Sequence, residues 1–360
     1  MEINFLKNKK VLITGHTGFK GIWLSLLCHY AGGKIFGISK DIKNNKKFFY
    51  QTKNIFTKSY IFDLRDYKKT KKIIGIINPD FIFHLAADAL VIDSYKKPYE
   101  TFHNNFLSSL NVLEVCREKN IKTSFVFITS DKSYKNIEKK KGYLETDSLG
   151  GYDPYSGSKA ATEMLINSYK MSFFQNNKNI KLAVARAGNV IGGGDFSDNR
   201  LVPDAFKQWS LNKNLSIRNP NATRPWQHVL EPLYGYILLA KKLSKRNLIG
   251  EIFNFGPHKQ KHISAFQLIK KLNVLASSFI KKNSYSIQNT KKKYNESNFL
   301  YLNSHKAKKN LSWKCILDIN KTLKYTSDWY INYYNKKENM YVFSINQIRN
   351  YLNEVNKSNS

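Results

Sequence analysis

The chain has 360 residues, 42% of them hydrophobic, which is enough for a sizeable core built as two closely packed lobes. No run approaches the ~18 apolar residues of a membrane span and MEINFLKNKK holds no apolar signal core, so a cytoplasmic protein without a membrane partner is expected. Basic residues number 59 against 26 acidic, a net charge of +33, yet lysine is spread with asparagine, isoleucine and tyrosine over the whole chain. We read this as composition, not as a nucleic-acid surface, although phosphate-bearing ligands would be attracted. Cys28, Cys116 and Cys315 lie far apart in apolar or helical contexts, as reduced thiols do, and form no metal spacing.

Val11 to Thr14 is a short apolar strand running into GHTGFKG, and Ile22 to Tyr30 reads as the following helix. Glycines there let the backbone approach a pyrophosphate, whose charge is favoured at a helix N-terminus. The spacing is GxxGxxG, and Gly15, Thr17, Gly18, Phe19 and Gly21 are the candidate dinucleotide cradle. Lys34 to Ser39 is a second strand, and Ser39, Lys40 and Asp41 at its end leave NAD and NADP both open. A third strand at Tyr60 to Phe62 ends on Asp63-Leu64, where the aspartate either accepts from an adenine amino group or caps the helix from Asp66 to Ile77.

Phe81 to Leu85 follows as a strand, and the small residues of Leu85-Ala86-Ala87 allow a cofactor to lie against the backbone. His84 reads as a core histidine with its ring nitrogens satisfied. Tyr99 to Lys119 is a long helix. The strand Ser124 to Thr129 then closes on Thr129-Ser130-Asp131-Lys132, polar groups massed where an apolar strand ends. In the next helix, Pro154 to Phe174, Tyr155 and Lys159 share a face at i, i+4. An ammonium there is expected to lower the phenol from its free pKa near ~10, making a base usable at neutral pH.

Leu182 to Ala187 is the next strand, followed by RAGNVIGGGDF, in which Asn189 is a candidate substrate contact. Arg200, Arg218 and Arg224 are candidates to grip a diphosphate through bidentate hydrogen bonds. Helices near Pro203 to Leu211, Tyr234 to Leu243, Ser264 to Leu272 and Asn320 to Tyr334, and a strand at Glu251 to Phe255, complete the pattern. Asn283 to Ser297 reads as an exposed loop. Alternating strands and helices predict an α/β fold: a Rossmann-like, doubly wound parallel sheet with a smaller C-terminal substrate-binding domain. The expected division is 1–188 for the dinucleotide domain, 189–336 for the substrate domain with segments crossing back, and 337–360 for a polar tail.

Together the strings TGHTGFKG, TSDKSY, LGGYDPYSGSKAATE, RAGNVIGGGDF, TRPWQHVLEPL and QIRNYL make the chain resemble the extended short-chain dehydrogenase/reductase family. Within it the likeness is to nucleotide-sugar 4,6-dehydratases, above all the branch acting on CDP-glucose. The resemblance implies tightly held NAD, with Asn105 and Thr129 also beside it, no metal, a small-molecule nucleotide sugar as substrate and a homodimer built on the two long helices. It implies that Tyr155 deprotonates the C4 hydroxyl, Lys159 holds the ribose, Ser130 hydrogen-bonds the C4 oxygen and Asp131 protonates the departing C6 hydroxyl. Lys132 stands where most sibling dehydratases carry a glutamate base for C5; it acts as that base, orients a water or stabilises an enolate. Asp88 departs from the usual amide and Ser133 from a common cysteine. A 4-epimerase on the same fold would need Tyr155, Lys159 and NAD but not the Asp131-Lys132 pair.

Overall fold

The computed structural model describes residues 2–43, 45–245, 250–257, 263–280, 285–287 and 299–359. Six strands, β1 (Lys10–Thr14), β2 (Lys34–Ser39), β3 (Phe56–Ile61), β4 (Phe81–His84), β5 (Thr123–Ile128) and β6 (Ile180–Ala187), alternate with helices along the first half of the chain. With the strand Glu251–Phe255 they form one seven-stranded sheet, ordered Glu251–Phe255, β6, β5, β4, β1, β2, β3, in which every pairing is parallel. The order reverses between β1 and β4, which pair from Val11↔Phe81 to Thr14↔His84. In open α/β sheets the crevice beyond the strand ends at such a reversal is where ligands bind.

The strands β4 and β5 are buried throughout, as expected of parallel strands covered on both faces. Edge strand β3 instead exposes Thr57, Lys58 and Ser59. The sequence pattern caught only its apolar end for that reason. Helix Phe19–Tyr30 leaves β1 through the glycine turn, and helix Tyr67–Ile77 is capped by Asp66, whose carboxylate accepts from the Lys69 N–H. Capping therefore falls to Asp66, not Asp63. Helices Pro98–Lys119 and Pro154–Tyr169 lie side by side on one face of the sheet, the second running on into a wider π turn over Lys170–Phe174.

Beyond β6 the chain builds the smaller lobe from helices Leu201–Ser210, Ala265–Leu275 and Ile319–Asn335 and short two-stranded pairings, while helix Leu230–Lys245 packs back on the main sheet against β5 and β6. The strand Glu251–Phe255 returns to the main sheet from within this part. Most of the expected loop at 283–297 lies outside the described residues, but Tyr285–Ile287 is a short strand beside Leu215–Ile217.

The expected polar tail is corrected outright. Residues Met340–Asn359 form a helix. Met340, Ile348, Tyr351, Leu352 and Val355 are buried on one stripe of it, against helices Phe19–Tyr30 and Lys46–Thr52 of the first lobe and Ile319–Asn335 of the second. Among the described residues no helix is long and apolar enough to cross a membrane.

Candidate active site

The glycine turn shapes the first wall of the crevice. Gly15 takes φ +75°, and a Cβ there would stand 2.9 Å from the Ala86 amide nitrogen, so only glycine lets the turn touch the end of β4. A Cβ on Gly21 would run into the Gly15 carbonyl oxygen. Gly18, the N-cap of helix Phe19–Tyr30, is exposed and carries no side chain over that helix's unpaired N–H groups. An open, positively polarised cradle of this kind fits a pyrophosphate. Thr17 and Phe19 brace it instead of facing outward: Phe19 is buried, while Thr17 donates from its N–H to Ser39 Oγ (3.2 Å) and from its hydroxyl to the Asp41 carbonyl (2.7 Å).

The strand ends supply the floor. His84 is bonded at Nδ1 to Thr14 Oγ1 (2.8 Å) and at Nε2 to Ser109 Oγ (3.1 Å), and burial pushes its pKa down to about 3. It is the satisfied core histidine expected, and Thr14 Oγ1 also accepts from the Ala86 N–H (3.2 Å), fixing the Leu85-Ala86-Ala87 ledge. Asn105 is tied to the protein at three points: it accepts from the Asp88 N–H (2.7 Å) and donates to the Asp88 carbonyl (3.2 Å) and Ser158 Oγ (2.8 Å). Asp63 holds the Arg65 guanidinium at 3.0 and 3.1 Å, with Lys40 3.5 Å away; burial opposes its ionisation, but the bonds with Arg65 hold its carboxyl down at about 2. Leu64 beside it is buried.

The catalytic candidates converge from two elements. Helix Pro154–Tyr169 starts abruptly because Asp153 caps it, accepting from the Ser156 N–H (2.9 Å) and hydroxyl (2.6 Å), with Pro154 preset at the first position. The first turn of this helix places Tyr155 in the site and the second places Lys159, both less than a tenth exposed. The other element is the single turn Asp131–Ser133 after β5, capped by Ser130 Oγ accepting from the Lys132 N–H (3.2 Å). Ser130 also donates to Asp131 Oδ1 (3.0 Å) and hydrogen-bonds Tyr155.

Burial decides the electrostatics. It pushes the Tyr155 phenol up to about 12, with Ser130 pulling the value down and Asp131 pushing it up. The expected net depression by Lys159 does not occur in the protein alone, because desolvating a phenolate costs more than a cation one turn away returns. Lys159 is itself pushed down to about 8 by burial, against the upward pull of Glu163 and Asp88. Burial also raises the Asp131 pKa, opposed by Lys132, the Ser130 hydrogen bond, Lys20 and Arg224. Asp131 Oδ2 is buried without a hydrogen-bond partner. A buried carboxyl with its pKa raised and one oxygen unused has the character that general-acid chemistry requires.

Sequence reasoning missed Lys20. Half-buried in the glycine turn, it is pushed down to about 8 by burial and Arg200, pulled up by Asp131 and pushed down by Lys159. Its signal was a lysine at the start of a helix, where the dipole disfavours cations. Of the three candidate arginines, Arg200 acts on Lys20 and Tyr155, and Arg224 on Asp131. Arg200 is held by Asp195 at 3.2 Å. Arg218 is exposed, hydrogen-bonded to Asn199 at 3.4 Å, and its field falls on Asp204 instead. Asn189 lies half-buried just past β6. Thr129 Oγ1 is turned inward to Glu163 (2.7 Å). A separate surface cavity of about 360 Å³, lined by Lys47, Phe196, Asp198, Lys207 and Tyr333 among others, includes none of the catalytic candidates.

The pattern of the GDP-mannose 4,6 dehydratase family matches residues 12–326. The chain belongs to this family. It is 35% identical to the CDP-glucose 4,6-dehydratase of Salmonella typhimurium, over 99% of this chain and 100% of that protein. Among solved structures, a UDP-glucose-4-epimerase from Stenotrophomonas maltophila with bound NAD superposes with a TM-score of 0.79 over 91% of this chain and all of that one, at 17% identity. A dTDP-glucose 4,6-dehydratase from Bacillus anthracis, in complex with NAD, superposes with a TM-score of 0.74 over 92% and 98% of the two chains, at 18% identity. These two likenesses are of fold. As a GDP-mannose 4,6 dehydratase family member the chain is a nucleotide-sugar enzyme of the epimerase and dehydratase kind, and its candidate catalytic residues come together where β5 and helix Pro154–Tyr169 meet.

Proposed function

We propose that this enzyme is an NAD-dependent 4,6-dehydratase that converts CDP-glucose to CDP-4-keto-6-deoxy-glucose. The observation that carries the reading is Asp131: a buried carboxyl with raised pKa and an unpartnered oxygen, adjoining the Tyr155–Ser130 pair. A 4-epimerase has no use for an acid there. The cytidine base rests on the full-length relationship to the Salmonella enzyme.

The glycine cradle and the ledge after β4 would hold NAD, which when bound would supply reversible hydride exchange with the sugar. Tyr155 takes the C4 hydroxyl proton as the C4 hydrogen leaves, with Ser130 bonded to the same oxygen and Lys159 placing its charge on the cofactor ribose. The resulting C4 ketone makes the C5 hydrogen acidic. Asp131 then gives its proton to the C6 hydroxyl, which departs as water while the C5 proton is removed on the side of Lys132. Hydride taken from the sugar would be given back to it and C5 would be reprotonated, so the net change is loss of one water, the proton taken by Tyr155 making up for the one given by Asp131. Arg200 and Arg224 offset the diphosphate charge. The product class suits deoxysugar synthesis for surface polysaccharide.

The test is incubation of the purified protein with CDP-, GDP-, UDP- and dTDP-glucose. The expected outcome is a 4-keto-6-deoxy product from CDP-glucose with no net reduced nicotinamide. An epimerised sugar, or one reduced nicotinamide per turnover, would overturn the reading.

A further inference from the structure

Behind the reacting groups lies a charge pair that the chemistry above does not use. Glu163 sits one turn beyond Lys159 on the same helix face, and Arg186 comes from β6; both side chains are within 2% of full burial. Arg186 Nε donates to both Glu163 oxygens at 2.9 Å, and Nη2 donates to Oε2. Thr129, the residue before Ser130 and Asp131, donates its hydroxyl to Glu163 Oε1 at 2.7 Å. Arg186 also donates to the Glu145 carbonyl (3.3 Å) and stacks on the Tyr134 ring at 4.5 Å. One carboxylate thus joins the catalytic helix, the Thr129–Lys132 turn and the sheet.

Such a pair is a poor source of stability, because desolvating two ions consumes most of their attraction, and an apolar pair of similar volume commonly serves as well. Its placement suggests another role. We propose that Glu163 is a positioning residue: fastened by Arg186 and Thr129, it locks the Ser130–Lys132 turn to the Tyr155–Lys159 helix and holds Lys159 in its charged form. The groups facing Lys159 are Glu163 on its own helix, Asp88 after β4, His84 on β4, Lys20 from the glycine turn and Tyr155. Glu163 and Asp88 are the anions among these that favour the ammonium, and Asp88 is exposed and accepts from Asn104 (2.6 Å). The buried carboxylate is therefore the less screened of the two.

The inference rests on the redox reading of Lys159 only in its consequence for turnover, so the primary measurement avoids turnover. Trace competitive acetylation of the full-length protein as purified, across neutral to alkaline pH, with mass spectrometry of the Lys159 peptide, gives the titration midpoint of that amine directly. The parent should titrate near pH 8. Glu163→Gln leaves Arg186 unpaired in the interior and is expected to be unstable, so the deciding variant is the double Glu163→Gln/Arg186→Met, which removes both charges at once. Its midpoint should fall by about one pH unit, the shift expected from losing a nearby carboxylate. Arg186→Lys keeps the pair and should leave the midpoint in place. A folded double variant with an unchanged midpoint would overturn the proposal. The alkaline limb of the sugar-oxidation rate should move down with the midpoint; a midpoint that moves under a fixed limb supports the role of Glu163 and removes Lys159 from the redox step.

Discussion

At the scale of single residues, the proposed mechanism predicts that mutation separates oxidation from elimination. Tyr155→Phe leaves no group to take the C4 proton, so both reduced-nicotinamide absorbance on mixing and final product should fall together, by ~10²–10⁴-fold. Asp131→Asn keeps the shape and the bond from Ser130 but has no proton to give. It should still oxidise C4, accumulating bound reduced nicotinamide and a 4-keto-glucose while 6-deoxy product drops over the same ~10²–10⁴ range. Rapid-mixing absorbance with a product assay reads both, and near-normal turnover by the asparagine variant would remove Asp131 from the mechanism. These candidates were legible because Ser130, Asp131, Tyr155 and Lys159 stand in short strings at a strand end and a helix start. What those strings could not show was the sign of the Tyr155 shift, which depends on burial. Glu163 was equally hidden: its partners Thr129 and Arg186 are remote in sequence and meet only through the parallel register of β5 and β6.

At the scale of elements, the C-terminal helix is held by a buried carboxylate. Glu231 Oε1 accepts from the Ile316 (2.9 Å) and Leu317 (2.6 Å) N–H groups, while Oε2 accepts from the Tyr351 hydroxyl (3.0 Å), so one side chain ties helix Leu230–Lys245 to the loop at 316–317 and to helix Met340–Asn359. Burial pushes its pKa from 4.5 up to about 7, against the pull of these donors. A carboxyl with a folded pKa above its unfolded one stabilises fully below the unfolded value and loses that contribution as pH rises through the folded value. The parent should therefore lose stability from about pH 4.5 to about pH 7 relative to Glu231→Gln. That variant keeps the oxygen facing the two N–H groups and can donate to Tyr351. The gap in unfolding free energy should open by on the order of 3 kcal/mol. Denaturant titrations at acid and mildly alkaline pH read it, and parallel curves would show that Glu231 stays ionised. The sequence pointed elsewhere at this end of the chain because the helix is polar on average and its apolar stripe is narrow. Strands such as β4 and β5 were plain by contrast, each carrying an unbroken apolar run, Phe81 to Phe83 and Phe125 to Ile128.

At the scale of the whole molecule, the surface is uneven in one place. Helix Pro98–Lys119 turns Thr101, Asn105, Ser108, Ser109 and Val112 inward, and on its outer side carries Tyr99, Phe102, Phe106 and Leu110 at helical spacing. The neighbouring helix adds Gly157, Ala161 and Met164, with Phe102 packed over Gly157, where a Cβ would stand 3.1 Å from its ring. Along this stripe Tyr99 is 73% and Met164 63% exposed, high values for large apolar side chains. Two adjacent helices with small residues between large ones would match a second copy of themselves across a two-fold axis, as four helices with the stripes inside. A second copy of this chain is the occupant we expect, and light scattering at micromolar concentration should give twice the chain mass. Met164→Arg would bring two guanidinium groups together in that apolar seam without touching a buried residue of the subunit. It should shift the mass to that of a monomer while circular dichroism stays unchanged. A parent protein already monomeric at that concentration, or a dimer indifferent to the arginine, would move the interface off these helices.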